Sequence, residues 1–261
     1  RIPMIDLKKY GPWALVIGIS DYEEIEDLPY GRRDAEAIAA WLLEQGVPAD
    51  HIRLLTDGKT DPVGTGGLPA APATLVNVRE ALGWLRRVAS PDDLALMHFS
   101  GHGYQGVDDG SDEADGADEF FVLQDTRAAA QDDTALRDDE FGRFLDRIES
   151  DHVLIFFDSC YSGGLSRSLP PSSQAPADDE DWFGDLRLEG RLLLAASSEG
   201  EEAFESPQLE HGVFTHFVLE GLDGAADVNG DYHVTVWELY EYVAARVPEF
   251  LLMYTAGLAE W

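Results

Sequence analysis

The 261-residue sequence contains a single cysteine, Cys160. One thiol excludes a disulfide within the chain and excludes a zinc site built only from cysteines. A lone cysteine is either a small buried apolar side chain, which is the more common case, or a reactive group. Cys160 lies in the segment FFDSCYSGG, between an apolar run and a glycine-rich turn, so its neighbours have to decide between the two roles.

Long apolar runs are missing as well. The sequence has no stretch of about 18 consecutive apolar residues and no charged and then apolar leader. We therefore expect neither a transmembrane helix nor a signal peptide, and we expect a cytoplasmic protein. Because the first residue is Arg1 rather than methionine, any upstream segment stays outside this expectation.

Basic residues are scarce, with 18 Lys and Arg against 51 Asp and Glu, which gives a formal charge of −33. This charge repels phosphate backbones, so nucleic-acid binding is not expected, and it favours basic partners or bound cations. The chain length and its 44% of hydrophobic residues suffice for one complete core. We expect a single, monomeric domain over residues 1–261.

Alternating strands and helices are the main pattern of the sequence. Apolar runs typical of strands buried on both faces span residues 13–19, 51–56, 94–100, 152–157 and 192–196. Segments with helical periodicity lie between them, at 34–45, 74–88 and 136–148. This order predicts an α/β fold, with a mainly parallel central sheet and helices on both faces. Active sites of such folds form at the carboxyl ends of strands.

Three irregular segments interrupt this pattern. Residues 61–73 are rich in Gly, Pro and Ala and are typical of a surface loop. Residues 106–119 form a strongly acidic loop, and residues 166–187 are rich in Pro, Ser and acidic side chains. Each of these segments is expected on the surface, and the sequence contains no internal repeat.

Cys160 and His102 occupy equivalent positions, each just past the end of an apolar strand. A nucleophilic thiol needs a base or a cation that favours the thiolate, and histidine is the usual choice. His102 lies in the segment SGHG, where the adjacent glycines leave room beside the imidazole. The sequence therefore predicts a His102–Cys160 pair at one edge of the sheet. The other histidines, His98 and His211 among them, offer no comparable setting.

These residues carry a resemblance to a known family. HFSGHG, followed some sixty residues later by DSCYSGG, resembles the caspase-like cysteine peptidases, and the metacaspase and bacterial caspase-homologue branch more than the animal caspases. The resemblance extends from Ala14 to about Val243. It implies the caspase-like three-layer sandwich and a cysteine endopeptidase.

The resemblance also implies roles for individual residues. Cys160 would attack the scissile carbonyl, His102 would transfer the proton to the leaving amine, and the backbone N–H groups of Gly103 and Cys160 would hold the oxyanion. Segment 166–187 corresponds to a loop that is cut during activation of a zymogen. The enzyme itself or an upstream protease could cut beside Arg167, Arg187 or Arg191.

Substrate preference follows from three matched positions. In the metacaspase branch, the pocket for the residue before the scissile bond is acidic, and its walls here would be Asp34, Ser100 and Asp158. Two carboxylates would pair with a basic side chain, with Arg favoured over Lys because a guanidinium can bind in bidentate fashion. The expected partners are proteins or peptides with basic residues. One alternative is an Asp-specific pocket built on Arg32 or Arg33, and Asp34 could also serve as a helix N-cap.

Two segments are candidates for a calcium site. DVNGDYHVTVWE places Asp227, Asn229, Asp231 and Glu238 at the first, third, fifth and twelfth positions of a calcium loop. Tyr232 stands where glycine is expected, and a simple capping box of Thr235 with Glu238 is the alternative.

The second calcium candidate is the acidic loop 106–119. The resemblance implies calcium binding in this part of the chain. The candidate ligands are Asp112, Glu113, Asp115, Asp118 and Glu119. A solvated, disordered acidic loop is the alternative.

Two other classes of function remain open. The chain could be a catalytically silent, calcium-responsive interaction module on the same fold. It could also be another thiol hydrolase or transferase, which would prefer small esters or amides over peptides.

Overall fold

The structure is a computed structural model that describes residues 7, 10–59, 65, 67–107, 117–159, 191–196 and 204–256. For residues 107, 117, 118 and 191 it describes the backbone alone. Cys160, the segment 166–187 and the acidic residues Asp112, Glu113 and Asp115 lie outside the described residues.

Strands and helices alternate along the described chain. The strands are β1 (Trp13–Gly18), β2 (Ile52–Thr56), β3 (Ala70–Pro72), β4 (Leu94–Ser100), β5 (Gly103–Val107), β6 (Ala117–Phe121), β7 (Leu136–Arg137), β8 (His152–Asp158), β9 (Arg191–Ala195), β10 (Glu205–Ser206) and β11 (His211–Gly212). The helices are α1 (Gly31–Glu44), α2 (Leu75–Val88), α3 (Gln131–Thr134), α4 (Asp138–Leu145), α5 (Val213–Glu220) and α6 (Val236–Thr255). A 3₁₀ turn spans Ala49–His51 and a π-helical turn spans Gly221–Ala225.

Six parallel strands form the central sheet, in the order β3-β2-β1-β4-β8-β9. An antiparallel sheet of β5, β6 and β7 follows the carboxyl end of β4, and β10 pairs with β11. The predicted parallel sheet is confirmed. It brings the carboxyl ends of β4 and β8 side by side, because Ser100 is in register with Asp158.

Helices cover both faces of the sheet because successive strand residues point in opposite directions. On β1, Leu15 and Ile17 pack with α2 and α4, whereas Ala14 and Val16 pack with α1, α5 and α6. The strands are apolar on both faces and the result is a three-layer sandwich, as expected.

The same alternation sorts the polar residues of β4 and β8. Leu94 and Leu96 of β4 pack on the α1 and α5 side, together with Phe156 of β8. His98 and Ser100 continue the Leu94 series at intervals of two, so they point to this side as well. Asp158, two residues beyond Phe156, faces the same way. Three polar side chains are thus carried to one side of the sheet near its carboxyl edge.

Some boundaries differ from the sequence expectations. Segment 61–73 contains the edge strand β3. This strand tolerates Pro72, which lacks an N–H, because an edge strand needs hydrogen-bond donors on one side only. Segment 136–148 begins as the strand β7, and its helix α4 ends at Leu145. Helix α1 begins at Gly31, one turn before Asp34.

Helix α6 begins with the expected capping box. The side chain of Thr235 accepts a hydrogen bond from the backbone N–H of Glu238, and the Glu238 side chain accepts from the backbone N–H of Thr235. This reciprocal pair fixes the start of the helix. Within the described residues, no helix has the length and apolar character required to cross a membrane.

Candidate active site

The carboxyl ends of β4 and β8 are joined beyond their last ladder pair. The backbone N–H of Gly101 donates to the carbonyl of Asp158 at 3.2 Å. A Cβ atom on Gly101 would lie 2.9 Å from the Tyr22 hydroxyl and 3.0 Å from a ring carbon of Phe99, so a larger residue here would push these rings away from His102. His102 therefore leaves the sheet beside the strand end that leads, two residues after Asp158, to Cys160.

His102 is held by two contacts of known direction. Its backbone N–H donates to the Tyr22 hydroxyl at 2.9 Å, and its Nε2 lies 2.8 Å from the carbonyl oxygen of Glu26. A carbonyl can only accept, so Nε2 carries a proton and Nδ1 is the nitrogen left for proton transfer. Burial raises the pKa of Tyr22, so its hydroxyl stays neutral.

Asp34 is completely buried and lies at the centre of a hydrogen-bond cluster. Its Oδ2 accepts from Ser100 Oγ at 2.9 Å, and its Oδ1 lies 2.7 Å from His211 Nδ1. The backbone N–H of Gly212 donates to both oxygens, at 3.2 and 3.1 Å. The N-cap interpretation of Asp34 is wrong, because Tyr30 occupies the N-cap and the carboxylate turns from the first turn of α1 towards the sheet.

Asp158 is only 6% exposed and is bound by the first turn of α5. Its Oδ2 accepts from the backbone N–H of Thr215 at 3.0 Å and from Thr215 Oγ1 at 2.8 Å. The free N–H groups and the positive end of a helix stabilise a carboxylate in this position.

Gly212 separates the two carboxylates. A Cβ atom at this position would lie 2.2 Å from Asp158 Oδ2 and 2.9 Å from Asp34 Oδ2, so any larger residue would displace one of them. The structure therefore brings Asp34, Ser100 and Asp158 together, as the family resemblance implies. Their part in substrate binding stays a prediction.

Burial of several carboxyls in one place changes their protonation. Desolvation, and secondarily the charge of Asp34, raises the pKa of Asp158 to about 8. Desolvation also raises the pKa of Asp34, and the contact with His211 opposes this rise. Glu205, which accepts from the backbone N–H of Tyr30, has its pKa raised to about 7 by burial, an increase to which Asp34 adds. Near neutral pH this cluster holds protons that an incoming cation would displace.

Several residues of the cluster escape sequence reasoning. His98 lies inside β4 and His211 directly before α5, as expected, so neither has the strand-end setting of His102. Their contacts in the cluster are not predicted by the sequence: His211 binds Asp34, and His98 lies 3.2 Å from Thr215 Oγ1. The two-residue period of β4 is a signal that could place His98 on the side of Ser100. Thr215 and Glu205 lie within the range of the family resemblance, but they are far in sequence from the motifs around His102 and Cys160, and no local pattern marks them.

The two arginines before Asp34 bind carboxylates outside this cluster. Arg32 contacts both oxygens of Asp57, at 3.3 and 3.2 Å. Arg33 donates to Glu210 at 2.7 Å on the exposed surface.

The acidic loop candidate is described only at its end. Glu119 is buried on β6 and accepts from Gln105 Nε2 at 3.1 Å, whereas only the backbone of Asp118 is described. The calcium hypothesis for this loop stays untested.

The loop at 227–238 folds back on its first residue. Asp227 accepts hydrogen bonds from the backbone N–H groups of Gly230, Asp231 and Tyr232, at 2.9, 3.2 and 2.8 Å. Tyr232 adopts a φ of 63°, so the turn expected of glycine forms with a tyrosine.

The last residue of this loop is tied to its third. Asn229 Nδ2 donates to Glu238 Oε1 at 2.9 Å, and the same glutamate completes the capping box. Asp227, Asn229, Asp231 and Glu238 offer side-chain oxygens as metal ligands, and oxygen ligands suit calcium. No three His, Cys, Asp or Glu side chains converge to hold a metal ion in the part of the chain that the structure describes.

The sequence of the chain matches a family of known proteins. Residues 13–167, more than half of the chain, match the metacaspase, peptidase C14 domain. Such domains are caspase-like cysteine peptidases. The chain belongs to the metacaspase family.

Individual relatives match a similar region. Metacaspase-1A of Aspergillus oryzae is 33% identical over 153 residues, which are 58% of this chain and 34% of the relative. Metacaspase-1 of Mycosarcoma maydis is 32% identical over 152 residues, which are 58% of this chain and 35% of the relative. The match thus spans about a third of the length of these curated relatives.

Solved structures show the fold over nearly the whole chain. A protein from Geobacter sulfurreducens superposes with a TM-score of 0.61 at 21% identity, over 90% of this chain and 88% of that one. Caspase-1 from Spodoptera frugiperda gives 0.52 at 12% identity, over 94% and 78%. The predicted caspase-like α/β sandwich is confirmed.

Asp158→Asn should change how stability depends on pH. Because the pKa of Asp158 rises from 3.8 to about 8 on folding, the folded chain binds more protons than the unfolded chain between these values. The stability that this proton confers is therefore full below about pH 4 and is lost as the pH rises towards 8. We expect the variant to lack this slope and to exceed the wild type at pH 8 by about 1–3 kcal/mol in urea unfolding.

The same substitution at the exposed Asp151, just before β8, is the matched control and should leave the slope unchanged. Parallel stability curves for Asp158→Asn and the wild type from pH 4 to 8 would contradict the assignment.

Proposed function

We propose that the protein is a cysteine endopeptidase that cleaves proteins and peptides after basic residues, with Arg preferred over Lys. The observation that carries the proposal is a pair of buried carboxyl groups beside the strand ends that lead to His102 and Cys160: Asp158 ends β8, and Asp34 of α1 is bound to Ser100 at the end of β4. The proposed enzyme acts as a monomer and binds no nucleic acid, which a charge of −33 disfavours.

The chemistry uses a thiol and an imidazole. The Cys160 thiolate forms a bond to the scissile carbonyl carbon, while the backbone N–H groups of Gly103 and Cys160 stabilise the negative oxygen. The C–N bond breaks as His102 gives a proton to the leaving amine. Water then attacks the thioester, loses a proton to His102 and releases the acid, which restores the thiol.

His102 supports this role through its tautomer. The Glu26 carbonyl holds the Nε2 proton, so Nδ1 is available to exchange a proton with the thiol or the amine. The same contact fixes the plane of the ring without adding a charged group.

A basic side chain is the ligand that the pocket chemistry favours. A guanidinium or an ammonium would neutralise two desolvated carboxylates, and Ser100 Oγ adds a polar wall. A guanidinium can bridge two oxygens, which favours Arg over Lys. An aspartate substrate is disfavoured because ionisation of Asp34 or Asp158 would repel it and because Arg32 and Arg33 bind Asp57 and Glu210 instead.

Matched fluorogenic peptides that differ only in the residue before the scissile bond test the proposal. We expect kcat/KM to fall in the order Arg, Lys, Asp, and Cys160→Ala to lose activity on the order of 10⁴-fold or more. Asp34→Asn should lower kcat/KM for the Arg peptide by about 30-fold or more, because the cation loses a buried partner.

Each rival function has its own outcome in this assay. No turnover of any peptide, with or without calcium and after limited proteolysis, would favour the silent interaction module. Preference for the Asp peptide would favour a caspase-type pocket, and faster reaction with small esters or amides would favour another thiol hydrolase or transferase. Asp151→Asn is the control for general effects of removing one carboxylate.

We further propose that the segment 166–187 is cut during activation. Its Pro, Ser and acidic composition and its place directly after Cys160 support the proposal. If the enzyme cuts itself, purified Cys160→Ala should stay intact while the wild type is cut beside Arg167, Arg187 or Arg191. Intact mass spectrometry detects the cut. Cutting of the Cys160→Ala protein in pure form would contradict self-processing and point to another protease.

Calcium is the proposed activator, and loop 227–238 is its better described candidate site. Asp227, Asn229, Asp231 and Glu238 would hold the ion, which would add positive charge to a strongly acidic protein. The turn at Tyr232 supports this proposal because it gives the loop the course that a calcium loop needs. The acidic loop, with Asp112, Glu113, Asp115, Asp118 and Glu119, is the proposed alternative site.

Glu238→Gln tests calcium binding at this loop. Glutamine can keep the capping box but removes the charged ligand, so calcium should raise the Tm of the wild type and raise that of the variant much less. Glu241→Gln, an exposed change on the same helix, is the control. An equal Tm shift in all three proteins would show that calcium binds outside this loop. No Tm shift in any of them would contradict calcium binding.

A further inference from the structure

A histidine without a part in the proposed reaction is buried beside the pocket. His98 lies on β4, is 1% exposed and faces the same side of the sheet as Ser100. Burial lowers the pKa of His98 to about 3, an effect that the Ile17 backbone opposes, so the ring is neutral near pH 7. Its contact with Thr215 Oγ1, at 3.2 Å, lies on the Nε2 side of the ring.

The tautomer of His98 follows from its two nitrogens. Nε2 faces a hydroxyl oxygen that can accept a proton, whereas the backbone of Ile17, although close enough to oppose the fall of the His98 pKa, makes no hydrogen bond of good geometry with Nδ1. A neutral imidazole carries one N–H, and a buried N–H is costly without an acceptor. The proton is therefore expected on Nε2, where it donates to Thr215.

Thr215 in turn donates a hydrogen bond to Asp158. A hydroxyl has one proton, so an oxygen that accepts from His98 is free to donate its own proton to Asp158 Oδ2, which lies 2.8 Å away. The backbone N–H of Thr215 donates to the same oxygen at 3.0 Å. All donors of the chain His98, Thr215, Asp158 thus point towards the carboxylate, an arrangement in which each bond strengthens the next.

We propose that Thr215 and His98 are positioning residues that keep Asp158 able to ionise inside its buried pocket, so that it can bind a basic side chain. The inference rests on the proposed function. Burial and the charge of Asp34 oppose ionisation, and both hydrogen bonds from Thr215 favour it. Without the Thr215 hydroxyl, Asp158 would release its proton less readily. A basic side chain would then meet one ionised carboxylate instead of two.

Other titratable groups face the same carboxyl. Among the described residues they are Asp34 on α1 and Glu205 on β10, with His211 of β11 bound to Asp34. A test must therefore change the hydroxyl and leave these groups in place. Thr215→Val removes the hydroxyl at nearly constant shape, and Thr215→Ser retains it.

The first measurement is peptide binding to the inactive Cys160→Ala protein. Two peptides are compared, one with Arg and one with citrulline, which has nearly the same shape but no charge. We expect Thr215→Val to weaken binding of the Arg peptide at pH 7 by at least about tenfold, as for loss of a hydrogen bond to a charged group, and to leave the citrulline peptide within about twofold. Thr215→Ser should stay near the parent protein, and His98→Leu should show a smaller loss of the same kind.

The pH profile separates this role from a structural one. The penalty of Thr215→Val for the Arg peptide should shrink as the pH rises, because Asp158 ionises at higher pH even without the hydroxyl. Equal weakening of both peptides at every pH, or unchanged binding of the Arg peptide, would overturn the proposal.

A spectroscopic readout keeps the relay testable if the proposed function fails. Carbon-13 NMR of labelled aspartate should show the Asp158 titration midpoint moving upwards in Thr215→Val and not in Thr215→Ser, and nitrogen-15 NMR should show the Nε2–H tautomer of His98. An Nδ1–H tautomer or an unmoved midpoint would refute the relay. Failure of the wild type to cleave Arg peptides, with the NMR results as expected, would refute only the substrate assignment.

Discussion

Two carboxyl groups, Asp34 and Asp158, are buried close to each other, and much of the surrounding structure holds them in place. Their desolvation, and their repulsion whenever both are ionised, cost free energy that well-directed donors offset. Ser100 and the continuous segment from His211 to the first turn of α5 supply these donors, from two separate parts of the chain. The fold must therefore bring two strand ends and the beginnings of two helices to one point.

Much of this arrangement can be predicted from the sequence. The apolar runs define the parallel strands, the motifs around His102 and Cys160 place Ser100 and Asp158 at the ends of β4 and β8, and the family resemblance adds Asp34 from the first turn of α1. The alternation along β4 also predicts that His98 faces the same side of the sheet as Ser100, although a histidine inside a strand does not by itself indicate a function. The family resemblance directs attention to the residues within its motifs.

The remaining residues depend on packing that no local pattern records. Thr215 and Gly212 reach the carboxylates only because α5 packs on α1 across the sheet face, more than fifty residues after Asp158. Tyr232 adopts a backbone conformation that glycine would enter more easily, since Asp227 holds three N–H groups of the turn. The matched family region ends at residue 167, so the donors of α5 lie beyond it.

The register of β4 against β8 has a consequence for folding fidelity. Ser100 lies opposite Asp158, and a slip of one residue would turn Asp158 to the other face, where α2 and α4 pack. Such a chain could keep most of its apolar contacts and still present a carboxylate to the wrong layer. The meeting of Asp158 with Asp34, Ser100 and Thr215 thus depends on strand pairing as well as on side-chain identity, and a misregistered molecule would be compact but would lack this cluster.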